Sequence, residues 1–176
     1  MFRDDRDDLK LEQVSIRLVR DTPLYSEKPV TTSRDAVKLV GGMMSELDRE
    51  MICIINLNRK GKPINMNVVS VGGLSSAYCE PANVFKSAIL CNAACIIVLH
   101  NHPSGDTTPS REDIALTNRL IKAGNLMGIP VLDHIVIGYS EDAYYSMQEH
   151  RVCDFALKEQ QQAAGEQRVF RKAPAR

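Results

Sequence analysis

Short apolar runs separated by polar turns dominate the middle of the chain. Residues 51–58 (MICIINLN) and 95–100 (CIIVLH) are nearly continuous apolar runs, which is typical of strands buried on both faces of a sheet, and residues 131–138 (VLDHIVIG) predict a further strand. The run at 64–73 (INMNVVSVGG) follows turn residues at 59–63 (RKGKP) and therefore predicts a hairpin with the first run. The pattern predicts the central strands of one sheet.

Segments with helical spacing lie between these strands. Thr32 and Ser33 are N-cap candidates for a helix that carries an apolar stripe along residues 37–47. Pro81 suits the first position of a helix in the segment PANVFKSAILCNA. A third helix is predicted to begin after Ser110 and to end near the glycine and proline at 128 and 130.

Two weaker strands complete the pattern. Val14, Ile16 and Leu18 alternate with polar neighbours, which predicts a half-buried strand, and residues 143–147 (AYYSM) predict a short edge strand. Because strands and helices interleave along the chain, we expect an α/β fold with a single domain and a mixed β-sheet flanked by helices.

Chain length and the two ends predict the domain organisation. With 176 residues, the chain fits one domain of ordinary size. Residues 1–10 are charged and aperiodic and predict a flexible N-terminal arm, whereas residues 158–176 predict a flexible basic C-terminal tail. The folded domain is expected to occupy residues 11–157.

Composition and charge narrow the possible classes of function. The chain has 22 lysines and arginines and 22 aspartates and glutamates, and this balance argues against an extended basic surface that binds nucleic acid. No apolar run approaches the roughly 20 residues of a membrane span and the start lacks the core of a signal peptide, so we expect a cytoplasmic protein without membrane contact. The five cysteines form no paired framework, which favours small buried thiols over metal or redox use. The sequence leaves the oligomeric state open, a homodimer included.

Two of the four histidines stand one residue apart at the end of a predicted strand. Side chains at i and i+2 of a strand project to the same face, so His100 and His102 are expected to converge. Pro103 ends the strand just beyond them. Asp113 stands three residues after Ser110, in the first helical turn, where a carboxylate faces back toward the loop. Two imidazoles and one carboxylate are therefore expected to meet.

Two histidines and one carboxylate are typical of a catalytic zinc site with an open fourth position. Zinc lowers the pKa of a bound water from about 15.7 toward about 7, which makes hydroxide available at neutral pH. Surface histidines are the simpler reading of the pair alone, but Ser110 and Asp113 at their offsets favour a metal site. The same ligand set also describes iron oxygenases, which favour a different residue order.

The spacing His-x-His, seven residues, Ser, two residues, Asp resembles the JAMM (MPN+) metalloprotease motif. Within that superfamily, LHNHPSGDTTPSREDIALTNRL and LDHIVIG are similar to the RadC group, and the resemblance extends from about residue 14 to about residue 150. It implies the JAMM/MPN+ JAB-domain architecture, which is cytidine-deaminase-like. It also implies that His100, His102 and Asp113 bind Zn²⁺ and that Ser110 stabilises the oxyanion of a tetrahedral intermediate.

The family resemblance further implies an upstream glutamate that activates the attacking water. Three candidates precede the motif, namely Glu46, Glu50 and Glu80. RadC-like chains carry this glutamate immediately before the first central strand, which selects Glu50. A residue at the mouth of a buried strand can reach a site formed at a neighbouring strand end.

Two further histidines lie outside the motif. His134 follows Asp133 and matches an Asp-His pair of the RadC group, and we favour a buried core histidine over a role behind the metal. His150 lies in a polar segment and is expected in solvent.

The leading hypothesis is a zinc-dependent metallohydrolase, a metallopeptidase or isopeptidase acting on a peptide or protein substrate. The alternative is a DNA-repair-associated protein of the RadC type that binds or acts on nucleic acid, for example as a metal-dependent nuclease. Full-length relatives carry an N-terminal helix-hairpin-helix region associated with DNA contact, whereas only a short arm precedes the domain here, and this undercuts the alternative. A scaffold that retains a metal only for stability would not require Glu50.

Overall fold

The computed structural model describes residues 15, 18–19, 28–72 and 79–155. The predicted arm at 1–10, the predicted tail at 158–176 and the strand residues Val14 and Ile16 lie outside the described residues. Leu18 is described, is exposed and belongs to no strand.

Five strands and four helices are assigned within this part of the chain. The strands are β1 (Met51–Leu57), β2 (Pro63–Val71), β3 (Cys95–Asn101), β4 (Val131–Ile137) and β5 (Tyr144–Ser146). The helices are α1 (Ser33–Ser45), α2 (Pro81–Val84), α3 (Lys86–Leu90) and α4 (Arg111–Met127).

The strands form one five-stranded sheet in the order β2-β1-β3-β4-β5. Strands β3 and β4 run parallel and are connected through α4, as a parallel pair requires a crossover, while the other neighbours are antiparallel. All seven residues of β1 are buried, which explains its continuous apolar sequence. The prediction of a single α/β domain with a mixed sheet flanked by helices is confirmed.

Helix α1 covers one face of the sheet, and helices α2 to α4 cover the other. Successive residues of each central strand point to opposite faces, so β1 and β3 supply side chains to both apolar cores. The core under α1 includes Val37, Val40, Met44, Cys53, Ile55 and Leu99. The opposite core includes Ile54, Phe85, Val98, Leu116 and Leu120.

The predicted helix starts are confirmed, with one correction further along. Thr32 caps α1 and Ser110 caps α4, each in a reciprocal capping box with the residue three positions later. The segment that predicts one helix from Pro81 instead holds two short helices that meet at Phe85. Phe85 has ψ of −5° and is fully buried, so the local break accompanies the seating of its ring in the core, where Gly124 leaves room for it.

None of the helices in the described residues combines the length and the apolar character that a membrane crossing requires.

Candidate metal centre

The candidate site lies at the carboxyl ends of the parallel strands β3 and β4, beside the start of α4. Residues in this position commonly form ligand sites in α/β proteins. His100 is the sixth residue of β3, and His102 lies just past its end, where its N–H donates to the carbonyl of Ile137 on β4 at 2.8 Å. Asp113 is the third residue of α4. One strand end and one helix start thus carry all three residues.

The structure brings the three predicted ligands together. The Nε2 atoms of His100 and His102 are 3.0 Å apart. Oδ1 of Asp113 lies 3.3 Å from Nε2 of His100, and Oδ2 lies 3.6 Å from Nε2 of His102. The three potential ligand atoms, one from each residue, all lie within 4.8 Å of one another. In the described part of the chain this is the one such group of histidine, cysteine or acidic residues.

The hydrogen bonds of His102 and Asp113 leave one ligand atom of each residue available to a cation. Nδ1 of His102 lies 2.6 Å from the carbonyl oxygen of Asp106, which can only accept, so Nδ1 donates there and Nε2 is the ring nitrogen that faces the site. Oδ1 of Asp113 is fully buried and has no hydrogen-bond partner. A buried carboxylate oxygen without a partner is costly in a dry site, whereas a divalent cation there would satisfy it. The residues fit a metal ion.

Asp113 is held as a carboxylate. Burial alone raises its pKa, but the neighbouring His100 and hydrogen bonds from Ser110 more than offset this effect and hold the pKa of Asp113 well below its usual range. A deprotonated carboxylate is the form that binds metals.

Ser110 orients this carboxylate. Its backbone N–H donates to Oδ2 of Asp113 at 2.7 Å, and its hydroxyl donates to the same oxygen at 2.6 Å, which turns Oδ1 toward the histidines. The hydroxyl has a single proton, and here that proton is directed at Asp113. The role of Ser110 at an oxyanion, which needs the same proton, stays a prediction.

The loop between the ligands depends on a glycine. Gly105 has φ of 79°, in the left-handed region, and its N–H donates to the carbonyl of His102 at 2.9 Å. A Cβ atom at this position would lie 1.9 Å from the ring of Tyr139. The tight turn returns the chain so that the Asp106 carbonyl reaches the imidazole of His102.

A model of a known family matches this region. The model is described as the RadC-like JAB domain and matches residues 30–152. The chain belongs to this family. Three curated relatives are UPF0758 proteins. The protein from Caldanaerobacter subterraneus is 43% identical over 125 residues, which cover 68% of this chain and 54% of the relative. The protein from Rubrobacter xylanophilus is 44% identical over 124 residues, with coverage of 70% and 53%.

The third relative, from Desulfitobacterium hafniense, is 43% identical over 137 residues, which cover 77% of this chain and 59% of the relative. The chain therefore spans about half the length of the curated relatives that it matches.

The three candidate glutamates occupy different surroundings in this RadC-like JAB domain. Glu46 is exposed at the C-terminal cap of α1. Glu80 forms an ion pair with Arg119, with Oε2 and Nη2 2.6 Å apart. Glu50 is half-buried and directly precedes β1, whose Ile52 pairs with His100. Of the three, Glu50 lies at the end of the sheet where β3 presents the histidines.

Asn101 ties the Glu50 segment to the ligand strand. This buried residue is the last of β3 and stands between the two candidate histidine ligands. Its Oδ1 accepts a hydrogen bond from the N–H of Met51 at 2.8 Å, and its Nδ2 donates to the carbonyl of Arg49 at 3.1 Å. The backbone on each side of Glu50 is therefore fixed to the strand that presents His100 and His102. Sequence reasoning did not identify Asn101, although its position inside the His-x-His motif was a signal.

The other two histidines differ in environment. His134 is fully buried, as expected of a core residue, but its hydrogen-bond partners include the candidate ligand His100, with Nε2 and Nδ1 2.8 Å apart. Burial and the nearby His100 lower the pKa of His134 well below its usual value, so the ring is neutral. His150 is exposed and stacks on Tyr145, with ring centroids 3.9 Å apart.

All five cysteines are free thiols. Cys53 and Cys79 are buried, and burial raises the pKa of both, that of Cys53 to about 12. High thiol pKa values and burial suit packing rather than nucleophilic use.

Proposed function

We propose that this RadC-like JAB domain is a zinc-dependent metallohydrolase that cleaves amide bonds in a peptide or protein substrate, as a metallopeptidase or an isopeptidase. The observation that carries the proposal is the buried, unpartnered Oδ1 of Asp113 beside two histidine Nε2 atoms. Two nitrogen donors and one carboxylate oxygen are the ligand set of catalytic zinc sites. Structural zinc sites instead use four protein ligands.

His100, His102 and Asp113 would hold the ion. A bound zinc ion supplies Lewis acidity, which lowers the pKa of a water molecule and polarises a substrate carbonyl. The chain's own residues must then supply the proton transfers and the orientation of the carboxylate.

Glu50 is the residue that we assign to proton transfer. In the proposed reaction its carboxylate accepts a proton from the attacking water and returns it to the leaving amine. The antiparallel pairing of Ile52 with His100 supports this role, because it places the start of β1, and with it the backbone of Glu50, at the end of β3 that carries the histidines. The hydrogen bond that Asn101 accepts from Met51 and the one that it donates to Arg49 restrain the backbone on both sides of Glu50, which favours a reproducible position for the base.

An amide substrate is supported by the JAMM-like motif and by the charge balance. A protein that tracks a phosphate backbone neutralises several phosphates with lysine and arginine, whereas this chain has a formal net charge of zero. The free thiols suit a reducing compartment, and we place the protein in the cytoplasm on that basis.

The proposal is tested by a substrate screen on the full chain. Zinc-loaded protein is incubated with quenched-fluorescent peptide and isopeptide libraries and, in parallel, with labelled single-stranded and branched DNA. The expected result is amide cleavage that is abolished by chelation and restored by zinc. A His100→Ala, His102→Ala double variant purified in the same way controls for contaminating hydrolases. Cleavage of DNA with no amide cleavage would replace the proposal with the nucleic-acid alternative, and cleavage that persists in the double variant would refute it.

A further inference from the structure

We propose that Thr117 and His134 form a directed hydrogen-bond relay that fixes the tautomer of His100 and so presents its Nε2 lone pair to the metal. Thr117 and His134 are positioning residues in this scheme, because they act through His100 and Asp113. The inference rests on the metal site of the proposed function but is independent of what the protein hydrolyses.

The direction of the relay is set at one end by a backbone carbonyl. The hydroxyl of Thr117 lies 2.6 Å from the carbonyl oxygen of Asp113, one helical turn earlier in α4, and a carbonyl oxygen can only accept. Sδ of Met147 also lies 3.3 Å from this hydroxyl, but a thioether is a weak acceptor. The hydroxyl proton of Thr117 is therefore directed to the Asp113 carbonyl.

The positions of the protons on His134 and His100 follow from that of the Thr117 proton. The Thr117 oxygen lies 2.5 Å from Nδ1 of His134, and because its own proton is already donated, it accepts the proton on that nitrogen. A neutral imidazole that donates at Nδ1 accepts at Nε2, and complete burial favours the neutral ring, so Nε2 of His134 accepts from Nδ1 of His100 at 2.8 Å. A neutral His100 with its proton on Nδ1 presents a lone pair at Nε2, the atom that lies 3.0 Å from Nε2 of His102.

Together with Asp113, the relay residues form a closed ring of four residues beside the site. It runs from His100 on β3 to His134 on β4 and Thr117 on α4, and it returns through Asp113, whose Oδ1 lies 3.3 Å from His100. All four residues are fully buried. Because solvent does not reach the ring, a deleted partner is not readily replaced by water, and the ring holds the ligands from the strand and the helix in one arrangement.

Zinc affinity tests the relay without any substrate. His134→Leu removes the acceptor for His100, and we expect it to weaken zinc binding by about 10- to 100-fold in competition with a chromophoric chelator. His134→Gln keeps an acceptor oxygen near the position of Nε2 and should recover most of this loss. Thr117→Val, which keeps the side-chain shape but frees the His134 tautomer, should fall between them. His150→Gln, at an exposed histidine outside the ring, should bind zinc as the wild type does.

A second measurement uses only the wild-type protein and so does not depend on the folding of a variant. Nitrogen-15 NMR of the zinc-loaded wild-type protein, with only four histidines to assign, reports which ring nitrogen carries the proton. We expect His134 to be protonated at Nδ1 and unprotonated at Nε2. A His134 protonated at Nε2, or a folded His134→Leu variant with unchanged zinc affinity, would refute the relay.

The two proposals fail in different ways. A protein with the expected tautomers and zinc affinities but no amide cleavage would refute the hydrolase and leave the relay intact. Amide cleavage by a protein with the opposite His134 tautomer would refute the relay alone.

Discussion

A Glu50→Gln variant is expected to bind zinc as the wild type does and to lose about 10²- to 10⁴-fold in the rate of amide hydrolysis, the range that general acid–base groups contribute. The amide of glutamine is close in shape to the carboxylate but cannot accept the proton of the attacking water. The loss should appear in kcat more than in KM, because the interaction is made in the transition state. Steady-state kinetics on the best substrate from the screen, at matched zinc content, measures it.

The two rejected glutamates provide matched controls for this variant. Glu46→Gln removes an exposed charge at the end of α1 and should leave both rate and stability nearly unchanged. Glu80→Gln breaks an exposed ion pair with Arg119 and should cost less than about 1 kcal/mol of stability, with no change in rate. If Glu80→Gln or Glu46→Gln abolished hydrolysis while Glu50→Gln retained it, the assignment of the base would be wrong.

The His100→Ala, His102→Ala double variant is expected to lose zinc altogether. Deleting a residue that merely supports a ligand costs about 10- to 100-fold in metal affinity, so deleting two of three ligands should exceed that loss by a wide margin. Wild-type protein should retain about one zinc per chain after dialysis, and the double variant close to none. Elemental analysis of both proteins, normalised to protein concentration, measures the difference.

Two controls separate ligand loss from unfolding. His100 is fully buried, so its truncation leaves a cavity that destabilises the fold by itself. His102 is partly exposed, and the single His102→Ala variant should lose most of the zinc while unfolding thermally close to metal-free wild type. His150→Ala, at an exposed histidine, should retain the metal. Zinc retained by folded His102→Ala protein at wild-type affinity would contradict the ligand assignment.

The local features of the site were predictable because each depends on short spacings. The two-residue period of a strand places His100 and His102 on one side, and a capping box places Asp113 beside Ser110. Both relations are set by backbone geometry within a single element. The apolar runs predicted the central strands for the same reason, since burial on both faces requires a continuous apolar sequence.

The partners of the site residues were not predictable from spacing. His134 meets His100 through the parallel pairing of β4 with β3, and Asn101 meets the Glu50 segment through the pairing of β3 with β1. These contacts depend on the strand order of the sheet, which no short pattern encodes. Thr117 could have been identified one helical turn after Asp113, but its contact with His134 again requires the tertiary fold.

The break between α2 and α3 has a similar origin. The sequence from Pro81 is compatible with one helix, but the packing of the Phe85 ring in the core below α4 determines the local backbone. Tertiary packing thus overrides a helical pattern in a short segment.

Zinc binding by His100, His102 and Asp113 is tested by an anomalous-scattering crystal structure of the zinc-loaded protein, recorded at the zinc absorption edge. We expect one anomalous peak bonded to Nε2 of His100, Nε2 of His102 and Oδ1 of Asp113, with no fourth protein ligand. A peak at another place in the chain, or one closed by a fourth protein atom, would contradict it.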